Sequence, residues 1–275
     1  MSIRRGPIGV FDSGVGGLTV VAEIRRAMPA EEILYFGDTA RVPYGNKSPE
    51  TVTRYSKEVA RFLEAKGIRF LVVACNTSSA LALDALCAET SVPVLGMIEP
   101  GARAAAEATG TGRVGLIGTR ATVQSGAYEK ALLALNPSIQ VFSQACPLFV
   151  PLVEEGWAQD PVAEEVARRY LKPLLERGVD TLILGCTHYP VLGSVLRRIV
   201  GPSVKLLSSS RCAAKALQGA LAGETLRGGA APGGRGGLRC YVTDAGTHFR
   251  EVGERILGEP LAELIPVEEE RLVLA

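Results

Sequence analysis

Phe70-Leu-Val-Val-Ala-Cys75-Asn-Thr77 and Thr181-Leu-Ile-Leu-Gly-Cys186-Thr-His188 are nearly the same sentence written twice. Each is an apolar run of strand character that closes on a cysteine and opens into a small polar turn. Continuous apolar strands of this kind are buried on both faces, as in parallel sheets covered by helices. One such cysteine would read as a small buried hydrophobe. The repeat points instead to one site built from two halves.

Similar apolar runs surround the pair: Ile8–Phe11, Ile33–Phe36, Val92–Met97, Val114–Ile117, Gln140–Ala145 and Val204–Leu207. Amphipathic stretches alternate with them, at Leu18–Met28, Pro49–Lys66, Ser79–Glu89, Thr122–Leu135, Val162–Arg177 and Tyr189–Val200. Strands alternating with helices predict an α/β protein with doubly wound parallel sheets. Ile8-Gly-Val-Phe11 matches Val114-Gly-Leu-Ile117, and a cysteine follows at a similar distance in each case. The expectation is two similar α/β domains related by pseudo-symmetry, with the active site between them. Residues 1–98 plus 209–275 form the first and 99–208 the second, with the break near Glu99-Pro100-Gly101. A helix over Arg211–Leu221 and a strand over Leu238–Thr243 would return the chain to the first domain. The glycine run Gly228–Gly237 reads as a surface loop without a catalytic role.

The chain has 275 residues, 47% of them hydrophobic, with 30 basic against 29 acidic side chains and a net charge of +1. That balance offers no field for nucleic acid or an anionic membrane, so the expected partner is a small molecule. No apolar run approaches the roughly 18–20 residues of a membrane span, and the start of the chain lacks a secretory signal pattern. A cytoplasmic location is expected. Six scattered cysteines without a CxxC pair, with only two histidines, argue against a zinc site and a disulfide framework.

In open α/β sheets ligands collect at the carboxyl ends of strands, where both cysteines fall. Each precedes hydroxyl and amide groups and then a predicted helix, whose first N–H groups hold anions and lower a thiol pKa from about 8.5. The first strand ends in Asp12-Ser13-Gly14-Val15-Gly16-Gly17, whose glycines allow close backbone approach. Their spacing is not that of a dinucleotide loop. Asp12 is placed either to orient or deprotonate a neighbour or to cap a turn. Pro43 and Gly45 bracket a turn that projects Tyr44, and Glu154 follows the Pro-fixed segment Cys146–Pro151. His188 stands two residues after Cys186. His248 has no comparable neighbour in sequence and reads as a surface residue.

Together, Phe11-Asp-Ser-Gly-Val-Gly-Gly17, Pro43-Tyr-Gly45, Ala74-Cys-Asn-Thr77, Val150-Pro-Leu-Val-Glu154 and Gly185-Cys-Thr-His-Tyr-Pro190 closely resemble the glutamate racemases. These belong to the cofactor-independent aspartate/glutamate racemase superfamily. The resemblance runs in order from Ile8 to Pro190, and Tyr241-Val-Thr-Asp244 is similar to the family's last strand. It implies that Cys75 and Cys186 act as acid and base on opposite faces of the glutamate α-carbon, interconverting L- and D-glutamate. It implies further that Asp12 supports Cys75, while His188 and Glu154 support Cys186. Asp12, Ser13, Asp38, Tyr44, Gly45, Asn76, Thr77, Thr187 and His188 would bind substrate. No cofactor and no metal are implied, and no lysine for a Schiff base occurs in these motifs. D-glutamate supply for peptidoglycan and a homodimer also follow from the resemblance. At one place the chain departs from it, with Ser208-Ser209-Ser210 standing where an Asp-Ser pair is expected. Alternatives to a glutamate enzyme are a sister acting on aspartate or hydantoins, a two-lobed binding protein, or a racemase fold that also contacts a protein such as DNA gyrase.

Overall fold

Strand β1 (Ile8–Asp12) is wholly buried and lies in the middle of a parallel sheet, as its apolar run requires. In this computed structural model, which describes residues 6–222 and 235–273, ten strands form two sheets. The others are β2 (Ile33–Gly37), β3 (Phe70–Val73), β4 (Val94–Leu95), β5 (Arg113–Gly118), β6 (Gln140–Ala145), β7 (Thr181–Gly185), β8 (Lys205–Ser208), β9 (Leu238–Val242) and β10 (Glu263–Pro266). The first sheet runs β10-β9-β2-β1-β3-β4 and the second β6-β5-β7-β8, and every neighbouring pair is parallel. Both are covered by helices, giving two parallel-sheet α/β domains.

Alternation along the strands feeds two cores in each sheet. Ile8 and Val10 face helices Leu18–Ala27, Ser209–Leu221 and Thr247–Leu257, whereas Phe11 faces helix Pro49–Ala65. In the second sheet Leu182 and Leu184 pack on helix Pro161–Glu176, while Ile183 packs with Ile98, Ala102 and Tyr128. The chain reaches the second sheet through helix Ile98–Ala108. Glu99-Pro100-Gly101, near which the boundary between the halves is expected, lies in the first turn of that helix, where proline is tolerated because its missing N–H would have no partner.

Three predicted helices are divided. Ser79–Glu89 becomes Asn76–Leu81 and Leu83–Glu89, so the first begins at the residue after Cys75. Thr122–Leu135 is split by Gly126, whose φ of +65° is a left-handed conformation that glycine adopts freely. Tyr189–Val200 starts as a 3₁₀ turn before helix Gly193–Val200. The helix at Ser209–Leu221 packs on Leu18–Ala27 and β9 pairs with β2, returning the chain to the first sheet. Residues 228–234 of the glycine run lie outside the described residues.

Each sheet has its switch point between corresponding strands. The chain leaves β1 for β2 on one side and returns to β3 on the other; β5, β6 and β7 repeat the move. Ile8 is in register with Phe70 and Val114 with Thr181. Continuing both registers sets Cys75 beside Ser13 and Cys186 beside Thr119. Each thiol therefore emerges at the crevice where open α/β sheets bind ligands.

Candidate active site

A cavity of about 330 Å³ opens between these two crevices. Its wall includes Ser13, Tyr44, Gly45, Cys75, Asn76, Thr77, Glu154, Cys186, Thr187 and His188, ten of the residues singled out in the sequence. Polar groups converge there from both sheets on an otherwise apolar wall that includes Val42, Pro43, Val150 and Pro151.

Cys75 occupies the N-cap of helix Asn76–Leu81, its sulfur accepting from the Ser78 N–H at 3.4 Å and lying 3.6 Å from Ser13 Oγ. The sequence predicts a thiol made more acidic by that helix end, and the structure corrects this. Burial first, and then the negative charge of Asp12, push the Cys75 thiol up to about 11, outweighing the bonds from Ser78 and Ser13. Six residues of helix offer too small a positive end to offset loss of water around a thiolate.

Cys186 has a different setting. Its sulfur is 4.0 Å from His188 Nδ1, and His188 Nε2 lies 3.0 Å from Glu154 Oε1. Burial disfavours a charged imidazole, but Cys186 and Glu154 outweigh it and raise the His188 pKa to about 10. Glu154 moves the opposite way: burial raises its pKa, yet its bond to His188 and the charges of His188 and His248 leave it below the usual carboxylate value. No α-helix follows Cys186 directly; the 3₁₀ turn Tyr189–Leu192 starts after His188.

Asp12 and Asp38 are not on the cavity wall. Asp12 accepts from the Gly14 N–H at 3.0 Å and from Thr187 Oγ1 at 3.4 Å, and burial raises its pKa against the opposing charge of His188 and these bonds. It thus reaches Cys75 through charge and touches the Cys186 side through Thr187. Asp38, expected to line the site, is fully buried behind Tyr44. Its carboxylate accepts from the Tyr44 hydroxyl, from Arg41 Nε at 2.8 and 2.9 Å and from Thr243 Oγ1 at 3.1 Å. Arg41 is also paired with Glu58. This network fixes the turn that carries Tyr44.

The loop glycines serve the protein's own side chains. A Cβ on Gly16 would lie 2.4 Å from His188 Nδ1 and 2.5 Å from Thr187 Oγ1, and one on Gly17 would lie 2.4 Å from Asp12 Cβ. Hydroxyls tie the halves together elsewhere. Thr77 Oγ1 meets Thr119 Oγ1 at 3.0 Å and Thr122 Oγ1 at 3.3 Å, while Thr19 Oγ1 donates to the Thr187 carbonyl at 2.9 Å. The serine triplet belongs to the same seam: Ser208 caps its helix, Ser209 accepts from Asn76 Nδ2 at 3.2 Å and donates to the Leu184 carbonyl, and Ser210 meets Thr19 at 2.8 Å.

Thr119, Arg120 and His248 are additional to the sequence reading. Thr119 and Arg120 line the cavity; the match of Val114–Thr119 with Ile8–Ser13 was the signal that could have found Thr119. Arg120 is exposed and makes no ion pair among the described residues. His248, read as a surface residue, is exposed but sends Nε2 to within 3.9 Å of Glu154 Oε2. Among the described residues no cluster of three His, Cys, Asp or Glu could hold a metal, and no helix is long and apolar enough to cross a membrane.

Residues 8–217 match the Asp/Glu/Hydantoin racemase family model. The chain belongs to this family. It is a racemase, an isomerase. It is 54% identical to the glutamate racemase of Geobacter metallireducens over 94% of this chain and 96% of that one. The crystal structure of glutamate racemase from Thermus thermophilus in complex with β-chloro-D-alanine is similar at a TM-score of 0.86 and 47% identity, covering 98% of this chain and 100% of that one. The glutamate racemase of Francisella tularensis in complex with D-glutamate matches at a TM-score of 0.89 and 38% identity, covering 97% and 98%. In this racemase the family's fold therefore frames a cavity holding both strand-end thiols.

Proposed function

We propose that this racemase interconverts L- and D-glutamate with Cys75 and Cys186 as the two proton-transferring groups. The observation that carries the reading is the presence of both thiols on one small cavity, each at the switch point of its own sheet. Inverting a stereocentre through a planar carbanion requires removal of a proton from one face and delivery to the other. Two equivalent groups serve both directions, one as thiolate base and the other as thiol acid.

The side chains divide between the thiols. His188 and Glu154 manage the proton at Cys186, while Asp12 acts on Cys75 through charge and orients Thr187. Ser13, Gly45, Asn76, Thr77 and Thr187 offer hydroxyl, amide and backbone groups for the substrate's ammonium and carboxylates, with Tyr44 fixed from behind by Asp38. Backbone N–H groups suit the charge that develops beside the α-carboxylate. No cofactor is required by this scheme. The lobes are residues 1–98 with 209–275 and residues 99–208, and the substrate sits between them. Relatives named as glutamate racemases, one of them seen with D-glutamate, support the choice of substrate. The reading extends to a cytoplasmic homodimer that supplies D-glutamate for peptidoglycan.

The test is a racemisation assay on each enantiomer of glutamate, with aspartate and hydantoins for comparison. Turnover of both glutamate enantiomers, lost in Cys75→Ala and in Cys186→Ala, is expected. Turnover retained in either variant would refute the two-thiol scheme, and a preference for aspartate or a hydantoin would refute the substrate.

A further inference from the structure

Beside the main cavity lies a recess of about 150 Å³ whose wall includes Thr39, Val42, Glu154, Asp244 and His248. Glu154 is common to both spaces. One carboxylate oxygen faces His188 at 3.0 Å and the other faces His248 at 3.9 Å. Exposure rises along this line, from 8% of the His188 side chain through 32% for Glu154 to 58% for His248. Four ionisable groups thus run from the Cys186 sulfur to solvent. Cys75 has another setting: its sulfur meets Ser13 and the Ser78 N–H, and the nearby Asp12 has both oxygens engaged.

A two-thiol racemisation leaves the enzyme changed. After one turnover the former base is a thiol and the former acid a thiolate, so the same enantiomer can react again only after both have reset. We propose that His248 is the outer end of a proton relay through Glu154 and His188 that resets Cys186. The inference rests on the two-thiol reading above.

In the outward direction, starting from a Cys186 thiol and a neutral His188 that carries its proton on Nε2, the thiol gives its proton to His188 Nδ1 and the Nε2 proton passes to Glu154 Oε1. Rotation about the terminal torsion, which is broad for a carboxyl group, presents that proton to His248 Nε2, and His248 releases one to water. The S–H bond breaks with its electron pair left on sulfur. Each carrier ends with as many protons as it began with. The exposed His248 ring is free to turn and close the 3.9 Å gap. His248 touches no reacting atom and acts through Glu154, so it is a positioning residue for the proton there.

Resetting of the free enzyme enters kcat but not kcat/KM, because at low substrate the two protonation forms equilibrate before each encounter. The experiment measures both constants in both directions for the wild type and for His248→Gln, with and without added imidazole as a diffusible proton carrier. The variant is expected to lose about tenfold in kcat and in KM together, with kcat/KM kept within about twofold and kcat restored by imidazole. An unchanged kcat, an equal fall in kcat/KM, or no response to imidazole would overturn the relay. Absence of glutamate turnover in the wild type would instead overturn the reading beneath it.

Discussion

Gly16 and His188 share one place: a Cβ on the glycine would lie 2.4 Å from the imidazole Nδ1. The pseudo-symmetry of the sheets sets Gly16 against Thr122, and His188 against Thr77. Where two threonines meet at 3.3 Å across the seam at one of these paired contacts, a glycine makes room for a histidine at the other. The repeated architecture is thereby modified at one contact, giving Cys186 an imidazole neighbour that Cys75 lacks.

Gly16→Ala must push His188 away from its seat. Displacing a group by about 1 Å can cost about 100-fold in rate, and kcat is expected to fall by that order. Overpacking of a filled site also costs about 1–3 kcal/mol in stability. Denaturation should show that this penalty shrinks, without vanishing, when His188 is first replaced by Ala, because the ring supplies two of the three nearest obstacles and the Thr187 hydroxyl the third.

Arg120, which has no ion-pair partner among the described residues, stands on the cavity wall, well placed for a carboxylate. Loss of a charge-assisted bond that is equally strong in ground and transition states raises KM and spares kcat. Arg120→Ala is expected to raise KM for glutamate about tenfold with kcat nearly unchanged. Rising salt should weaken binding to the wild type more than to the variant. Steady-state kinetics at two ionic strengths provides the check.

His188 also makes stability depend on pH in a defined window. In the folded protein, facing charged Cys186 and Glu154, it holds its added proton up to about pH 10, against an ordinary value of 6.5. Between these values the folded state binds more protons than the unfolded one, so the contribution is fully present below 6.5 and is lost as pH rises through 10. Urea midpoints measured across that range should fall more steeply for the wild type than for His188→Gln.

The strands were legible because an apolar run buried on both faces has few alternatives, and the two cysteine sentences marked the switch points. Helix boundaries were less so. Asn76–Leu81 begins earlier than Ser79 because the Cys75 sulfur supplies its cap, and helix Ile98–Ala108 went unread because Glu99-Pro100-Gly101 does not look helical, although its proline suits a first turn. The roles of Asp38 and His248 depend on contacts between distant segments. Nothing local to Asp38 tells that Arg41, Tyr44 and Thr243 consume its oxygens, and nothing near His248 in sequence points to Glu154. The serine triplet that departs from the family pattern is explained by its bonds to Asn76, Leu184 and Thr19.

The central claim, that separate thiols serve the two faces of one carbon, is tested most directly by early-time isotope incorporation in deuterated water. Starting from either enantiomer of glutamate, the newly formed product should carry deuterium at the α-carbon while recovered substrate carries almost none. Equal early labelling of substrate and product pools would mean that one base handles both faces, and would contradict the account.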